Sequence, residues 1–281
     1  MLWLLAPTLV VLAVFLYYPM LRTVWLSFFR VRFYGQQQVF AWFDNYARLF
    51  TDPSSYAAIV RTAVLSSIVI VASIGIALGL AALLNQRIAG ARVYRLLLIW
   101  PLALSTAVSG LVFLVLFNPN FGMVNAVLAP LGIQPEWFRD RTLAQAVLVI
   151  ALVWNRVGYN LVFYTAAYQS LPQETLEAAL VDGATPWQRF RYVTVPLLAP
   201  MTLFLLVTST VFAFFDSSAI ADVLGGGPLG ATSILIFEIT ENAFRDDRIG
   251  LAAAQSLLLF VAVAFITVVQ LRQGRKRVTY Q

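Results

Sequence analysis

Residues 63–84 read AVLSSIVIVASIGIALGLAALL and contain no charged side chain. A helix rises about 1.5 Å per residue, so about 20 apolar residues cross a bilayer core of about 30 Å. The run is long enough to do so, and the pair Gly75 and Gly79 favours close packing against another helix. We therefore expect residues 63–84 to form a transmembrane helix.

Further apolar runs of this length precede and follow it. Charge-free runs lie at 2–21, 96–117, 192–215 and 249–271, and the run at 142–168 contains one charge, Arg156. The first run has neither a basic leading segment nor a small-residue cleavage site, so we expect it to be retained. The sequence predicts an all-α integral membrane protein in a single transmembrane domain, residues 1–281. Its six transmembrane helices are expected at about 2–27, 60–84, 95–117, 142–168, 193–216 and 249–271.

The composition excludes several other classes of protein. Of the 281 residues, 60% are hydrophobic and only 11% are charged, whereas soluble domains carry roughly a quarter charged residues. The sequence contains no cysteine and no histidine, which excludes disulfides, cysteine nucleophiles, histidine bases and histidine-ligated metals. We therefore expect no catalytic residue and no metal site. The net charge of +6 is spread between the apolar runs, which favours a lipid bilayer over nucleic acid as the partner.

Six helices place both termini on one side of the membrane, together with the loops at 85–95 and 169–191. Basic residues prefer cytoplasmic loops, and this side carries two clusters of them: Arg87, Arg92, Arg95, Arg272, Arg275, Lys276 and Arg277. The charge pattern therefore favours a cytoplasmic location for both termini.

The loop between the fourth and fifth predicted helices reads QETLEAALVDGATPWQRFR over residues 173–191. Pro172 and the acidic first turn predict the start of one short helix, Gly183 predicts its end, and Pro186 predicts the start of a second. Several apolar side chains of this pair should be exposed and should meet a protein partner. They are Leu176, Ala179, Leu180, Trp187 and Phe190.

Glu177-Ala178-Ala179, followed by Asp182-Gly183 and by Val195-Pro196, resembles the EAA motif of permease subunits of binding-protein-dependent ABC importers. The pattern is closest to the carbohydrate-uptake, maltose-type branch. Other segments resemble the same family over nearly the whole chain: Phe43-x-Asn45-Tyr46, Phe121-Gly122-x-x-Asn125, Phe212-x-x-Phe215-Asp216, Gly225-Gly226-Gly227-Pro228 and Gly250-Leu251-Ala252-Ala253-Ala254.

The resemblance implies a sugar importer of the bacterial or archaeal inner membrane, in which this chain is a non-catalytic subunit. Its partners would be a second permease, two ATPase subunits that bind ATP and Mg, and an extracytoplasmic solute-binding protein. No cofactor is expected on this chain. The 169–191 loop would be cytoplasmic and would couple to the ATPase through Leu176, Glu177, Ala178, Ala179, Leu180, Asp182, Gly183 and Trp187.

Candidate substrate contacts lie in the fourth and fifth helices. Polar residues inside a span are costly and usually face a cavity or one another. Asn155 and Tyr159, and Arg156 and Asn160, are each one helical turn apart. The resemblance places Tyr159, together with Phe214 and Asp216, among substrate-lining positions. Amides, charges and aromatic rings are suited to a sugar, but hydrogen bonding between helices is the alternative reading.

Arg156 lies near the middle of its span and is expected to face the protein interior. It either pairs with an acid of the second permease or binds an anionic substrate such as glycerol phosphate, and Asp216 should lie too near the outer end to pair with it. An importer for glycerol phosphate or another polyol is therefore the alternative to a sugar importer. A stand-alone secondary transporter is disfavoured, because we find neither coupling acids in the spans nor inverted repeats.

Overall fold

The computed structural model describes residues 2–32, 37–85 and 90–277, which are predominantly helical. The helices are α1 (Leu2–Leu12), α2 (Tyr18–Leu26), α3 (Asp44–Thr51), α4 (Pro53–Leu84), α5 (Ala91–Ile99), α6 (Thr106–Leu116), α7 (Met123–Leu128), α8 (Arg141–Gln169), α9 (Gln173–Val181), α10 (Pro186–Arg189), α11 (Val195–Leu197), α12 (Ala199–Val211), α13 (Ser218–Val223), α14 (Leu235–Phe244) and α15 (Ile249–Arg277). Strands β1 (Phe29–Arg32) and β2 (Gln37–Phe40) form one antiparallel pair.

Among the described residues, five helical segments are long and apolar enough to span a membrane: Leu5–Leu26, Pro53–Leu84, Arg141–Gln169, Ala199–Val223 and Ile249–Gly274. Val93–Ala103 and Thr106–Leu116 add a sixth if this pair, bent by 107°, counts as one span. The bend has a local cause, because Pro101 lacks a donor and the Ser105 hydroxyl caps a new helix by accepting from Val108 N. The integral membrane helical fold is confirmed.

Some basic residues used to predict the orientation cannot be placed. Arg87 lies outside the described residues, and so do the side chains of Arg92, Arg275, Lys276 and Arg277.

The chain divides into two compact units, Met1–Thr62 with Ser233–Ala262 and Ala63–Thr232 with Val263–Gln281.

The first unit contains the β1–β2 hairpin, which the prediction of an all-α protein omitted. Asn45 holds its base, because the side-chain amide donates to the carbonyl oxygens of Ser27 (2.8 Å) and Phe29 (3.0 Å). Gly250 packs directly on the same Phe29 carbonyl, where a Cβ would collide. Two segments that resemble the importer family, around Asn45 and Gly250, therefore meet at this hairpin and have a structural role there.

In the second unit α8 is the most buried of the membrane-spanning helices. Its Gly158 lies against the backbone of α5 and the turn that follows, since an added Cβ would be 3.2 Å from the Leu98 carbonyl oxygen and 3.3 Å from that of Ile99. A glycine at this position lets two backbones approach closely, as is common between membrane helices. The contact holds α8 against α5 and the turn that follows it.

Candidate functional site

A buried polar cluster links α8 to its neighbours in the second unit. Asn155 Nδ2 donates to Ser109 Oγ (2.9 Å), and Asn160 Nδ2 donates to Ser73 Oγ (3.3 Å). Ser209 of α12 accepts from Arg156 Nε (3.3 Å) and donates to Asn160 Oδ1 (3.3 Å). The two asparagines thus bridge helices, as the alternative reading of these residues proposed. The serine partners are common in membrane helices, and nothing in the sequence singled them out.

Arg156 is the one strong cation of this cluster. It is only 7% exposed, and its Nη2 has no hydrogen-bond partner. Its guanidinium carbon lies 3.9 Å from the centre of the Tyr159 ring and 5.0 Å from that of Phe212. Aromatic faces stabilise a cation, but among the described residues none accepts a hydrogen bond from Nη2. Phe212 was not among the predicted site residues, although it begins a segment that resembles the family.

The two predicted residues on the fifth span differ in their surroundings. Both lie in the π-helical turn Phe212–Asp216, where Phe214 is buried and Asp216 is exposed. Asp216 interacts favourably with the Arg156 charge, but among the described residues it forms no ion pair within 4 Å. This agrees with the expectation that the two residues would not pair directly.

The turn between α9 and α10 is closed by local hydrogen bonds. Gly183 has φ +77°; its N–H bonds the Leu180 carbonyl (3.1 Å), and Ala184 N–H bonds that of Ala179 (3.1 Å). This is the Schellman arrangement that ends a helix. Thr185 then caps α10, with its hydroxyl and backbone N–H exchanging hydrogen bonds with Gln188. The pair of short helices read from the sequence is present.

Of the five apolar side chains predicted to be exposed around this turn, Leu180 and Trp187 are exposed, whereas Leu176, Ala179 and Phe190 are half-buried. Trp187 is 68% exposed and Val181 is 88% exposed, and the prediction had omitted Val181. Leu180, Glu177, Ala178, Asp182 and Gly183 are also exposed, whereas Leu176 and Ala179 are half-buried. The predicted coupling residues are thus mostly exposed, and together with Val181 we call them the α9–α10 surface: Leu176, Glu177, Ala178, Ala179, Leu180, Val181, Asp182, Gly183 and Trp187.

A separate acidic site lies in the first unit. Glu238 of α14 accepts from Ser233 Oγ (3.4 Å) and from Gln255 Nε2 (3.3 Å). Burial raises the pKa of its carboxyl to about 7, although the charge of Arg61 opposes the shift. Asp52 has a pKa below its ordinary value, chiefly because Ser54 donates to its carboxylate. Within the described part of the chain, no three acidic, histidine or cysteine residues are arranged to hold a metal ion.

Known proteins resemble this chain over nearly its whole length. Residues 72–277 match the family described as "Binding-protein-dependent transport system inner membrane component". The sn-glycerol-3-phosphate transport system permease protein UgpA of Brucella abortus is 36% identical over 279 residues, covering 99% of this chain and 95% of the relative. The Escherichia coli UgpA is likewise 36% identical over 279 residues.

Solved structures share the fold. A chain from the crystal structure of a bacterial ABC transporter that imports the acidic polysaccharide alginate has a TM-score of 0.84. It is 22% identical, and the match covers 98% of this chain and 96% of that one. The relatives confirm the predicted non-catalytic permease subunit of an ABC importer. The chain belongs to the family of inner membrane components of binding-protein-dependent transport systems.

Proposed function

We propose that this chain forms half of the translocation path for small phosphorylated polyols or sugars, with Arg156 receiving the phosphate. The observation that carries the proposal is the buried guanidinium of Arg156, whose Nη2 has no hydrogen-bond partner in the part of the chain that the structure describes. A buried cation without a full counter-ion is costly in a membrane helix. Phosphate is the ligand that suits it best, because two of its oxygens accept from the parallel N–H groups of a guanidinium.

Two further observations favour a phosphorylated solute over the neutral sugar predicted first. The side-chain amides of Asn155 and Asn160 already donate to serine hydroxyls, so they are less available to sugar hydroxyls. The relatives that are 36% identical are named for sn-glycerol-3-phosphate transport. In this proposal Tyr159 and Phe214 pack against the carbon skeleton of the solute, and the exposed carboxylate of Asp216 accepts from its hydroxyl groups.

The α9–α10 surface is proposed to dock into a cytoplasmic ATPase. Exposed tryptophan and aliphatic side chains on a rigid turn are typical of interface centres, and Glu177 and Asp182 add polar contacts beside them. ATP binding would close two ATPase subunits, and the docked turn would carry that movement to α8 and α12. ATP and Mg belong to the partner, not to this chain.

The orientation of the chain in the membrane and the positions of its other partners follow from this docking. If the α9–α10 surface is cytoplasmic, six spans put both termini in the cytoplasm, with residues 28–58, 118–141 and 216–248 on the outer side. A second permease would complete the path, and an extracytoplasmic binding protein would deliver the solute to the outer side. The membrane would be the inner membrane of a bacterium or archaeon.

The test is the ATPase activity of the reconstituted complex in the presence of loaded binding protein. Glycerol phosphate, free glycerol and a disaccharide are offered in separate arms. We expect stimulation with glycerol phosphate alone, and we expect Glu177→Ala to reduce it while Gln173→Ala, an exposed change in the same helix, does not. Stimulation by the disaccharide alone would restore the sugar prediction, and a chain that moves solute without an ATPase would contradict the importer assignment for this protein.

A further inference from the structure

Four aromatic rings form a continuous line at the end of the first membrane-spanning segment. Trp25 lies on α2, Phe29 on β1 and Phe40 on β2, and Trp42 follows β2. Their ring centroids are 5.0 Å apart for Trp25 and Phe29, 5.1 Å for Phe29 and Phe40, and 4.9 Å for Phe40 and Trp42. We call these four residues the aromatic ladder.

The aromatic ladder is largely uncovered by the rest of its unit. Trp42 is 68% exposed, Trp25 is 61% exposed and Phe40 is also exposed. Indole and phenyl rings bury a large apolar area when they are covered. A contiguous row of them left open marks a contact with something outside the chain.

The hairpin that carries these rings is held in place from behind. The Asn45 amide bonds the carbonyls on both sides of Phe28, and the hydroxyls of Ser27 and Tyr46 are 2.7 Å apart. Arg30 donates to Asp44 (2.8 Å), which also accepts from Arg48 (3.0 Å). The exposed face is therefore a fixed surface of the folded unit.

The starting point of the ladder identifies what covers it. Trp25 belongs to the segment Leu5–Leu26, which is apolar enough to span a membrane and whose most apolar part has no buried residue. The line of rings thus begins within the bilayer and continues past the end of the helix. Tryptophan is enriched at the level of the lipid headgroups, where the ring is buried in lipid and the indole N–H reaches water or phosphate.

The charged residues of the hairpin lie on the face opposite the aromatic ladder. Arg30 and Arg48 share the carboxylate of Asp44, and Asp246 and Asp247 line a pocket together with both arginines and Arg248, so these charges balance. Residues on the opposite face of β2 are different, because Val39 pairs with Arg30 in the hairpin register while Phe40 pairs with Phe29.

We propose that the aromatic ladder lies in the headgroup layer of the membrane and binds phospholipid, so that the β1–β2 hairpin is an interfacial anchor for the first span. The anchor would hold the outer end of that span at a fixed depth. This inference is independent of the transported solute, because none of its residues lies in the α8 cluster.

The first test measures tryptophan quenching by brominated phospholipids in nanodiscs that hold the complete transporter. The chain has 7 tryptophans, so Trp42 is isolated as the difference between the wild type and Trp42→Phe, which keeps a ring in place. Bromines near the headgroup end of the acyl chain should quench more wild-type than variant fluorescence. Trp187→Phe is the matched control, because Trp187 is equally exposed in this chain yet lies on the α9–α10 surface, and we expect it to leave the absolute amount of quenched fluorescence unchanged.

The second test uses the absence of native cysteine. Phe40→Cys and Val39→Cys are labelled separately with a polarity-sensitive fluorophore, since neighbouring strand residues point to opposite faces. We expect a blue-shifted emission at position 40 and water-like emission at position 39. The proposal is overturned if Trp42→Phe does not change quenching, if both cysteine labels report water, or if position 40 is shielded from lipid and water alike, which would indicate a protein partner.

Discussion

In α8 the side chains Asn155, Arg156 and Asn160 are polar and buried, whereas in the α9–α10 surface Leu180, Val181 and Trp187 are apolar and exposed. Polar side chains are unusual inside a membrane-spanning helix, and a cluster of apolar side chains is unusual on an exposed turn. In α8, hydrogen bonds to serines satisfy most of the polar groups, and Arg156 Nη2 has no acceptor among the described residues. At α9–α10, the backbone is satisfied by its own turn, and the side chains are left for a partner. Each region thus keeps one unsatisfied property, a charge inside and an apolar surface outside.

The largest expected effect concerns the packing that holds α8. In Gly158→Val the added carbons meet backbone carbonyls of Leu98 and Ile99, which cannot move aside as side chains do. Overpacking of this kind costs about 3 kcal/mol, so we expect a large fall in the thermal midpoint of the purified complex. Gly75→Val is the matched control, because none of the described residues lies within 4 Å of a Cβ at that glycine, so the close packing predicted for Gly75 is absent within this chain. Equal losses from the two variants would mean that the backbone contact does not hold α8.

The exposed region is expected to behave in the opposite way. Trp187→Ala should leave folding of this chain intact, since the indole contacts mainly the Phe190 ring (5.6 Å between centroids). Loss of a central interface tryptophan costs about 2 kcal/mol or more of binding, so ATPase co-purification should weaken more than tenfold. Pull-down titration measures this. Thr175→Ala, another exposed change near the turn, should bind normally, and an unchanged affinity of Trp187→Ala would remove the docking role from this surface.

A smaller effect is expected from the turn itself. In Gly183→Ala a Cβ meets no atom of the described residues within 4 Å, but φ is +77°, a conformation that costs an alanine roughly 1 kcal/mol. We expect partial loss of ATPase stimulation with little change in thermal stability. Gly132→Ala, with φ +73° and equally open surroundings, introduces the same strain in a different loop. Its stimulation should be that of the wild type, and a similar loss in both variants would mean that the effect is not specific to α9–α10.

The smallest effect is a pH dependence in the first unit. The carboxyl of Glu238 has a pKa of about 7 against an ordinary value of 4.5, so the folded chain binds this proton more tightly than the unfolded chain. Its ionisation destabilises the fold above about pH 7, and that cost disappears as the pH falls from 7 towards 4.5. After screening by solvent, Glu238→Gln should stabilise the protein by about 1 kcal/mol at pH 8 and hardly at all at pH 5. Thermal midpoints of the wild type and the variant at pH 8 and pH 5 test this prediction. An equal gain in stability at both pH values would mean that ionisation of Glu238 is not the cause.

The spans and the α9–α10 turn were predictable because their causes are local. Twenty apolar residues in succession, or a proline and a glycine at the ends of a short helix, act within a few residues of one another. The 107° bend after Ala103 was missed, although Pro101 and Ser105 are both visible in the sequence, because neither residue by itself requires a break. The β1–β2 hairpin was missed because Asn45 and Gly250, which support it, lie far apart in the sequence.

The α8 cluster was predicted only in part. The polar residues of one helix could be found by their spacing, since a turn of helix brings them to one face. Their partners could not be found in the same way, because Ser73, Ser109, Ser209 and Phe212 lie on other segments and resemble many other residues there. Whether Arg156 Nη2 has an acceptor depends on those residues, so only the folded chain reveals that it has none among the described residues.

The most direct measurement is uptake by proteoliposomes that contain the complete transporter with wild-type, Arg156→Lys or Arg156→Gln chains. The account predicts that Arg156→Gln lowers glycerol phosphate uptake at least tenfold, and that Arg156→Lys, which keeps the charge without the planar pair of donors, retains part of it. Arg139→Gln, which removes an exposed arginine that forms an ion pair with Glu136, should transport normally. If Arg156→Gln assembles with its partners and imports glycerol phosphate at the wild-type rate, Arg156 is not the phosphate-binding residue and the central claim is wrong.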